Sequence, residues 1–255
     1  MNDYMLELSK ENIPGHSSIN KFGRNSNVAS GATEEIWDGS AVYTWPSTAS
    51  ITHIRSAVDS ATTQGMIIEI QGLDTNYNKV IQNTTLDGAD STTEVALTTA
   101  LRRAFRMEFL DGSAADQDIQ VGPTGFATQQ AIITAGNNQT LMAIYTIPAN
   151  YTGFMTAWYA AINPATNQDP TSMPIRIWNR DNANGYAPQI KHIHGIIEGH
   201  VQHFYKPYPK LTEKTDVWMT AAPVGKAADV SSGFDIILVD NAYLRSSKLS
   251  RHMKA

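Results

Sequence analysis

The stretch Thr152–Ala160 reads TGFMTAWYA and has the composition of a buried β-strand. A proline, Pro148, stands shortly before it, and the polar loop 163–170 follows it. Successive side chains of a strand point to opposite faces, so Trp158 and Tyr159 lie on different faces. Both faces of this strand must therefore be covered, which indicates a sandwich of packed sheets.

Segments of the same kind recur along the chain at intervals typical of antiparallel strands. They are short, rich in β-branched and aromatic residues, and separated by turns that contain Gly, Asp or Asn. The pattern predicts strands within residues 41–45, 50–55, 65–71, 77–85, 100–110, 140–147, 152–160, 174–180, 189–197, 201–205, 216–221 and 233–239. We expect an all-β protein of two antiparallel β-sandwich domains, with a jelly roll as the leading topology.

Local composition divides the chain into four parts. Residues 1–33 are rich in Gly, Asn and Ser without a sustained period, which predicts an extended N-terminal arm. A Gly- and Gln-rich passage at 122–136 indicates a junction between domains. We therefore expect the first β-sandwich domain at 34–135, the second, jelly-roll-like one at 136–240, and a basic tail at 241–255 that contains no acidic residue.

The composition excludes several classes of protein. The 255 residues are 42% hydrophobic and 17% charged, so the chain can bury a core and is not disordered throughout. There is no cysteine, and therefore no disulfide or thiolate metal site. The net charge of -5 disfavours direct nucleic-acid binding. Apolar runs are too short for membrane insertion, and the acidic first residues predict no export signal.

Both ends of the chain are candidate partner-binding segments. The arm carries four apolar side chains that something must cover, either the protein's own body or a neighbouring subunit: Tyr4, Met5, Leu6 and Leu8. Basic residues recur every three positions in the tail, which is either a solvated terminus or an arm that docks on an acidic surface: Arg245, Lys248, Arg251 and Lys254.

Histidines form the cluster that most resembles a metal site. His192 and His194 share one strand face, and His200 and His203 follow on the next segment, so a hairpin would bring them together. The spacing is permissive, and a polar, aromatic strand face or a pH-sensitive contact explains it as well. We predict no bound metal and no cofactor. Calcium at Asp111, Asp116 and Asp118 is disfavoured because the spaced ligand pattern is absent.

No motif for catalysis stands in the chain, neither a nucleophile elbow nor a zinc-protease helix nor a phosphate-binding loop. The sequence therefore predicts that the protein is not an enzyme. A metal-dependent hydrolase using the four histidines, or a glycan depolymerase, stays as an alternative. Tryptophans in β-sandwiches are mostly core residues, so a glycan would more readily stack on exposed tyrosines, for which the candidates are Tyr186, Tyr205 and Tyr208.

Several short phrases resemble those of structural virion proteins of tailed bacteriophages, especially phages of marine bacteria. They are EIWDG at 35–39, the stretch 68–77 followed by TTLDG at 84–88, QTLMAIYTIPA at 139–149, EKTDV at 213–217, and SGFDIILVD at 232–240. The resemblance covers about residues 34–240. It implies a non-enzymatic assembly protein with two β-sandwich domains and no catalytic residues, present in the virion after assembly in the host cytoplasm.

The resemblance leaves the position in the virion open. A tail-associated adaptor or fibre-type protein is favoured, because two sandwiches with a segment at each end suit a connecting role. A capsid decoration protein is the first alternative, and a carbohydrate- or receptor-binding module is the second. The implied partners are other virion proteins and further copies of the chain, as a trimer or ring, with a host-surface glycan as an additional ligand. The low charge content suits such subunit interfaces.

Overall fold

The computed structural model describes residues 3–39, 42–110, 114–163 and 172–244. Within them a short helix, α1, precedes a series of antiparallel β-strands, and residues 241–244 are again helical; the predominance of strands confirms the all-β prediction. The elements are α1 (Tyr4–Ser9), β1 (His16–Val28), β2 (Glu34–Glu35), β3 (Ile51–Ser56), β4 (Ile67–Leu73), β5 (Lys79–Thr85), β6 (Val95–Leu101), β7 (Arg103–Phe109), β8 (Ile119–Gly122), β9 (Ala131–Ile133), β10 (Ile144–Thr146), β11 (Tyr151–Asn163), β12 (Met173–Asp181), β13 (Gln189–Ile196), β14 (His200–Phe204), β15 (Lys210–Leu211), β16 (Thr215–Ala221) and β17 (Ala228–Asp240).

Two five-stranded sheets enclose the larger core. One has the order β1-β17-β11-β14 with β15 also on β11, and the other has the order β10-β16-β12-β13 with β2 also on β16. Trp158 on β11 and Phe234 on β17 meet Ile177 on β12 and Met219 on β16, and all four side chains are buried. The predicted strand around Trp158 is confirmed. A bulge between Met155 and Ala157 lets both Met155 and Trp158 face this core.

Two smaller sheets enclose a second core. Their orders are β6-β3-β8-β9 and β5-β4-β7. Ile68 and Ile70 alternate inward from β4 and meet Ile54 from β3 and Val121 from β8. The passage 122–136 was predicted to be a junction between domains. It contains the β8–β9 loop and strand β9, which belong to this second pair of sheets. The two cores share elements, because Trp218 on β16 belongs to the second one.

Residues 16–28 differ from the sequence prediction of an arm. They form β1, which pairs along its length with β17 inside the larger pair of sheets. The strand lacks an apolar period because the residues it buries include Lys21 and Asn25. Gly23 is needed there, since a Cβ atom would lie 2.4 Å from the carbonyl oxygen of Ile36 and from the amide nitrogen of Ala143.

A buried ionic network joins the two parts of the molecule. The carboxylate of Asp216 on β16 accepts hydrogen bonds from the guanidinium groups of Arg103 on β7 and Arg180 on β12. Thr146 and Asn182 donate to the same carboxylate. Although burial opposes ionisation, Arg103 holds the pKa of Asp216 below its usual range. Both arginines also lie over the ring of Trp45.

Candidate functional site

A group of aromatic and histidine side chains lies between β13 and β14, which are edge strands of two different sheets. The rings of His192 on β13 and His203 on β14 have centroids 4.7 Å apart. His192 lies 4.9 Å from Trp158, and His203 lies 4.7 Å from Tyr205. We call these four residues the histidine cluster. It closes one side of the larger core.

The four histidines of the sequence hypothesis do not come together as one site. His194 contacts Trp158 at 6.1 Å between ring centroids. His200 is exposed, and the alternation along β14 turns it to the face opposite His203. The described residues contain no group of three or more His, Asp or Glu side chains that could hold a metal ion. The histidines instead pack edge to face with aromatic rings.

Burial shifts the pKa of two members of the histidine cluster, His192 and Tyr205. It lowers the pKa of His192, and the neighbouring His203 and His194 lower it further. It also raises the pKa of Tyr205 to about 12. A neutral His192 imidazole therefore lies edge to face with a neutral Tyr205 phenol at physiological pH.

A cavity of about 160 Å³ opens between the two large sheets beside Tyr205. Its floor is apolar and includes Met155, Ile177 and Val217, which are all buried. Trp178 on β12, Lys191 on β13 and Lys210 on β15 also line it.

A second cavity of about 240 Å³ continues from the first. The two cavities share four lining residues: Asn179, Lys191, Lys210 and Leu211. The second one adds polar groups and an exposed aromatic ring: Asp181, Tyr186, Gln189, Thr212 and Thr215. We call the two cavities together the groove.

The groove contains two of the three tyrosines that the sequence singled out for stacking. Tyr205 lines the first cavity and Tyr186 the second, whereas Tyr208 lines neither. Sequence reasoning missed the two lysines. Nothing in the sequence singles out Lys191 or brings Lys210 to the same cavities. The tryptophan prediction is confirmed for the core, since Trp37, Trp158 and Trp218 are each at most 5% exposed.

Among the strands that the structure describes, β13 and β14 are also the edge strands of their sheets. Each pairs with a single neighbour, β12 or β11, and both strands are largely exposed. Ile193 and Ile197 are 56% and 68% exposed, and Phe204 is 63% exposed. Between Gln189 and Phe204 the residues with a formal charge at neutral pH are Lys191 and Glu198. We call β13, β14 and the turn between them the edge surface.

The apolar residues predicted to bind a partner at the N-terminus divide into two groups. Leu8 is buried by the protein's own body, against Ile237 and Val239 on the outer face of β17. Three others remain about half exposed on α1: Tyr4, Met5 and Leu6. Burial, with the nearby Tyr208 hydroxyl, raises the pKa of Tyr4.

Two further sets of predicted residues have different outcomes. The basic residues Arg245, Lys248, Arg251 and Lys254 lie outside the described residues, as does Asp111. Asp116 accepts a hydrogen bond from the Ser60 hydroxyl, and Asp118 accepts one from the Ala135 amide. These two carboxylates therefore hold neighbouring loops together through hydrogen bonds.

Comparisons with known proteins identify no relative of this chain. No family model, no curated protein and no solved structure matches it. Within the ranges that the structure describes, no helix is long and apolar enough to cross a membrane.

Proposed function

We propose that this protein is a non-enzymatic structural component of a tailed-phage virion that acts through contacts between subunits. The phrases that resemble virion proteins span about residues 34–240 and support this assignment. The all-β architecture agrees with it. In this proposal the chain assembles in the host cytoplasm and stays with the particle.

The edge surface carries the proposal. An edge strand presents unpaired backbone N–H and C=O groups, and natural proteins usually protect such edges with charges, prolines or bulges. The edge strand β13 has a bulge at its one lysine, Lys191, but pairs regularly with β12 from His192 to Ile196, and Ile193 in that stretch is exposed. Low charge with exposed apolar side chains is typical of an interface core. We assign this surface to a second copy of the chain, because like edges pair readily in symmetric oligomers.

The proposal also includes the division of the chain into domains. We interpret the two pairs of sheets as two β-sandwich domains, the second with jelly-roll character. A trimer or ring built through the edge surface leaves the half-exposed α1 and the C-terminal residues for other virion proteins. This arrangement favours a tail-associated adaptor or fibre-type protein over capsid decoration. Receptor binding is the second candidate role, favoured by the groove that Tyr186 and Tyr205 line.

Quantitative mass spectrometry of purified particles from a phage that encodes this chain tests the proposal. We expect the chain in the particles at a low copy number set by the symmetry of the tail. A copy number comparable to that of the capsid subunits would support decoration instead of a tail position. Absence of the chain from washed particles, with abundant chain in the infected lysate, would contradict a structural role.

A further inference from the structure

We propose that the ring contact between His192 and His203 keeps β13 beside β14 at neutral pH, and that protonation of both imidazoles separates the two strands. This contact lies within the single chain, so the separation is measurable whether or not the chain assembles. Because β13 and β14 form the edge surface, we also expect acid to abolish assembly through that surface. This last step rests on the proposed function.

The first argument is the position of the two imidazoles. His192 pairs with Ile177 on β12, and His203 pairs with Trp158 on β11. Paired residues of neighbouring strands share a face, and Ile177 and Trp158 both face the larger core. Both imidazoles therefore point into the space between the two large sheets, where their ring centroids lie 4.7 Å apart. The contact bridges two different sheets at their edge strands.

The second argument is the set of side chains around the contact. Those that face the pair from the neighbouring elements are Trp158 on β11, Ile177 on β12, His194 on β13 and Tyr205 after β14. None of these is acidic, and the phenol of Tyr205 stays neutral because burial raises its pKa. Among the residues that the structure describes, neither imidazole of the contact forms an ion pair.

The charged residues of the edge surface do not compensate for a second proton. Lys191 is adjacent to His192 and is itself positive. Glu198, in the turn between β13 and β14, is exposed and is not among the groups that shift the pKa of His192. Cation–π attraction to the ring of Trp158 favours one positive imidazole, whereas two positive imidazoles in contact repel each other.

The third argument is that few buried contacts hold the two strands. β13 buries one residue fully, Ile196, and β14 buries none. Within the part of the chain that the structure describes, each strand has a strand neighbour on one side only. Segments of this kind open locally without unfolding of the whole protein. Repulsion between the imidazoles should therefore separate β13 from β14 while the rest of the larger core stays folded.

Hydrogen exchange of the full chain, measured by mass spectrometry at pH 7.5 and pH 5.0, tests the separation. After correction for the intrinsic effect of pH on exchange, residues 189–204 should exchange about tenfold or more faster at pH 5.0. Residues 67–73, which form β4, should show no such change. Equal corrected exchange of residues 189–204 at the two pH values, or the same acceleration in β4, would overturn the proposal.

Two matched variants on β14 identify the source of the acceleration. His203→Gln removes one imidazole of the contact and should abolish most of the acceleration. His200→Gln removes an exposed imidazole from the opposite face of the strand and should retain it. Circular dichroism of each variant at both pH values controls for folding. Acceleration that survives in His203→Gln would mean that the contact is not its cause.

Light scattering of the same samples tests the link to assembly. We expect the wild type to be oligomeric at pH 7.5 and to fall to 27.9 kDa at pH 5.0, whereas His203→Gln should stay assembled at both. An oligomer that persists at pH 5.0 despite faster exchange would overturn this link alone. A mass of 27.9 kDa at both pH values would contradict the proposed function, and the exchange result would still decide the role of the His192–His203 contact.

Discussion

The guanidinium of Arg103 on β7 forms two hydrogen bonds to the carboxylate of Asp216 on β16, with Nε to Oδ1 at 3.0 Å and Nη2 to Oδ2 at 3.1 Å. Both side chains are buried, and 113 residues of sequence separate them. Arg180 donates to the same carboxylate from β12. A single anion therefore ties the smaller pair of sheets to the larger one.

Replacing this anion should destabilise the whole molecule. Asp216→Asn leaves two arginines facing a neutral side chain, so we expect a loss of about 3–5 kcal/mol in the free energy of unfolding. Urea denaturation at pH 7 measures it. Asp235→Asn is the control, because that half-buried carboxylate binds Asn20 and no arginine. Equal, small losses for the two variants would show that the network contributes little.

Lys21 should make the free energy of unfolding depend on pH in the alkaline range. Its ammonium donates to the carbonyl of Phe105, and burial, assisted by Arg106, lowers its pKa to about 7. An unfolded lysine titrates near about 10.4, so between these values the unfolded chain binds more protons than the folded one. The free energy of unfolding should therefore rise with pH, by up to about 1.4 kcal/mol per pH unit.

Urea midpoints at several pH values between 7.5 and 9.5 test the effect of Lys21. The wild type should become more stable with rising pH, and Lys21→Met should remove most of that slope. Lys226→Met, at an exposed position, should keep the slope. A slope that survives in Lys21→Met would mean that the buried amine is not its source.

The histidine cluster should make the free energy of unfolding fall as the pH becomes mildly acidic. Because burial, His203 and His194 lower the pKa of His192, the unfolded chain binds the proton more tightly than the folded one. This contribution to stability is present above about pH 6.5 and is lost as the pH falls below it. His192→Phe should lose less stability than the wild type between pH 7 and pH 5 in thermal unfolding. An identical loss in both would exclude His192 as a contributor.

Leu8 and Leu6 on α1 provide a matched pair. Leu8 is 1% exposed and packs on Ile237 and Val239, whereas Leu6 is 50% exposed. Leu8→Ala should cost about 2–5 kcal/mol because it leaves a cavity between α1 and β17. Leu6→Ala should stay within about 0.5 kcal/mol of the wild type. If Leu8→Ala were as mild as Leu6→Ala, α1 would not be docked in solution.

Most of the predicted strands are found, and those of the core bury apolar side chains. The predicted strand at 41–45 is wrong, because its described residues, 42–45, form no strand. The short buried strands β8 and β9 were not predicted. Ile68 and Ile70 alternate inward on β4, and Trp158 faces the core from β11. β1 was not predicted, because it buries a lysine, a glycine and an asparagine, which give the segment no apolar period. Its pairing with β17 joins segments about two hundred residues apart, and no local pattern reports such a contact.

The candidate site was predictable only where its residues are neighbours in sequence. The predicted hairpin is wrong, because β13 and β14 belong to different sheets, but the short connection between them still brings the rings of His192 and His203 within 4.7 Å of each other. The histidines pack against Trp158. Lys191 and Lys210 share the groove because of long-range packing of β12, β15 and β16.

Light scattering of the purified full chain tests the central claim most directly, since that claim is assembly through the edge surface. We predict a mass that is a small multiple of 27.9 kDa, falling to 27.9 kDa in Ile193→Lys. Val58→Lys should keep the oligomer, because Val58 is similarly exposed but lies outside the edge surface. A wild-type mass of 27.9 kDa at every concentration, or an oligomer unaffected by Ile193→Lys, would contradict the account.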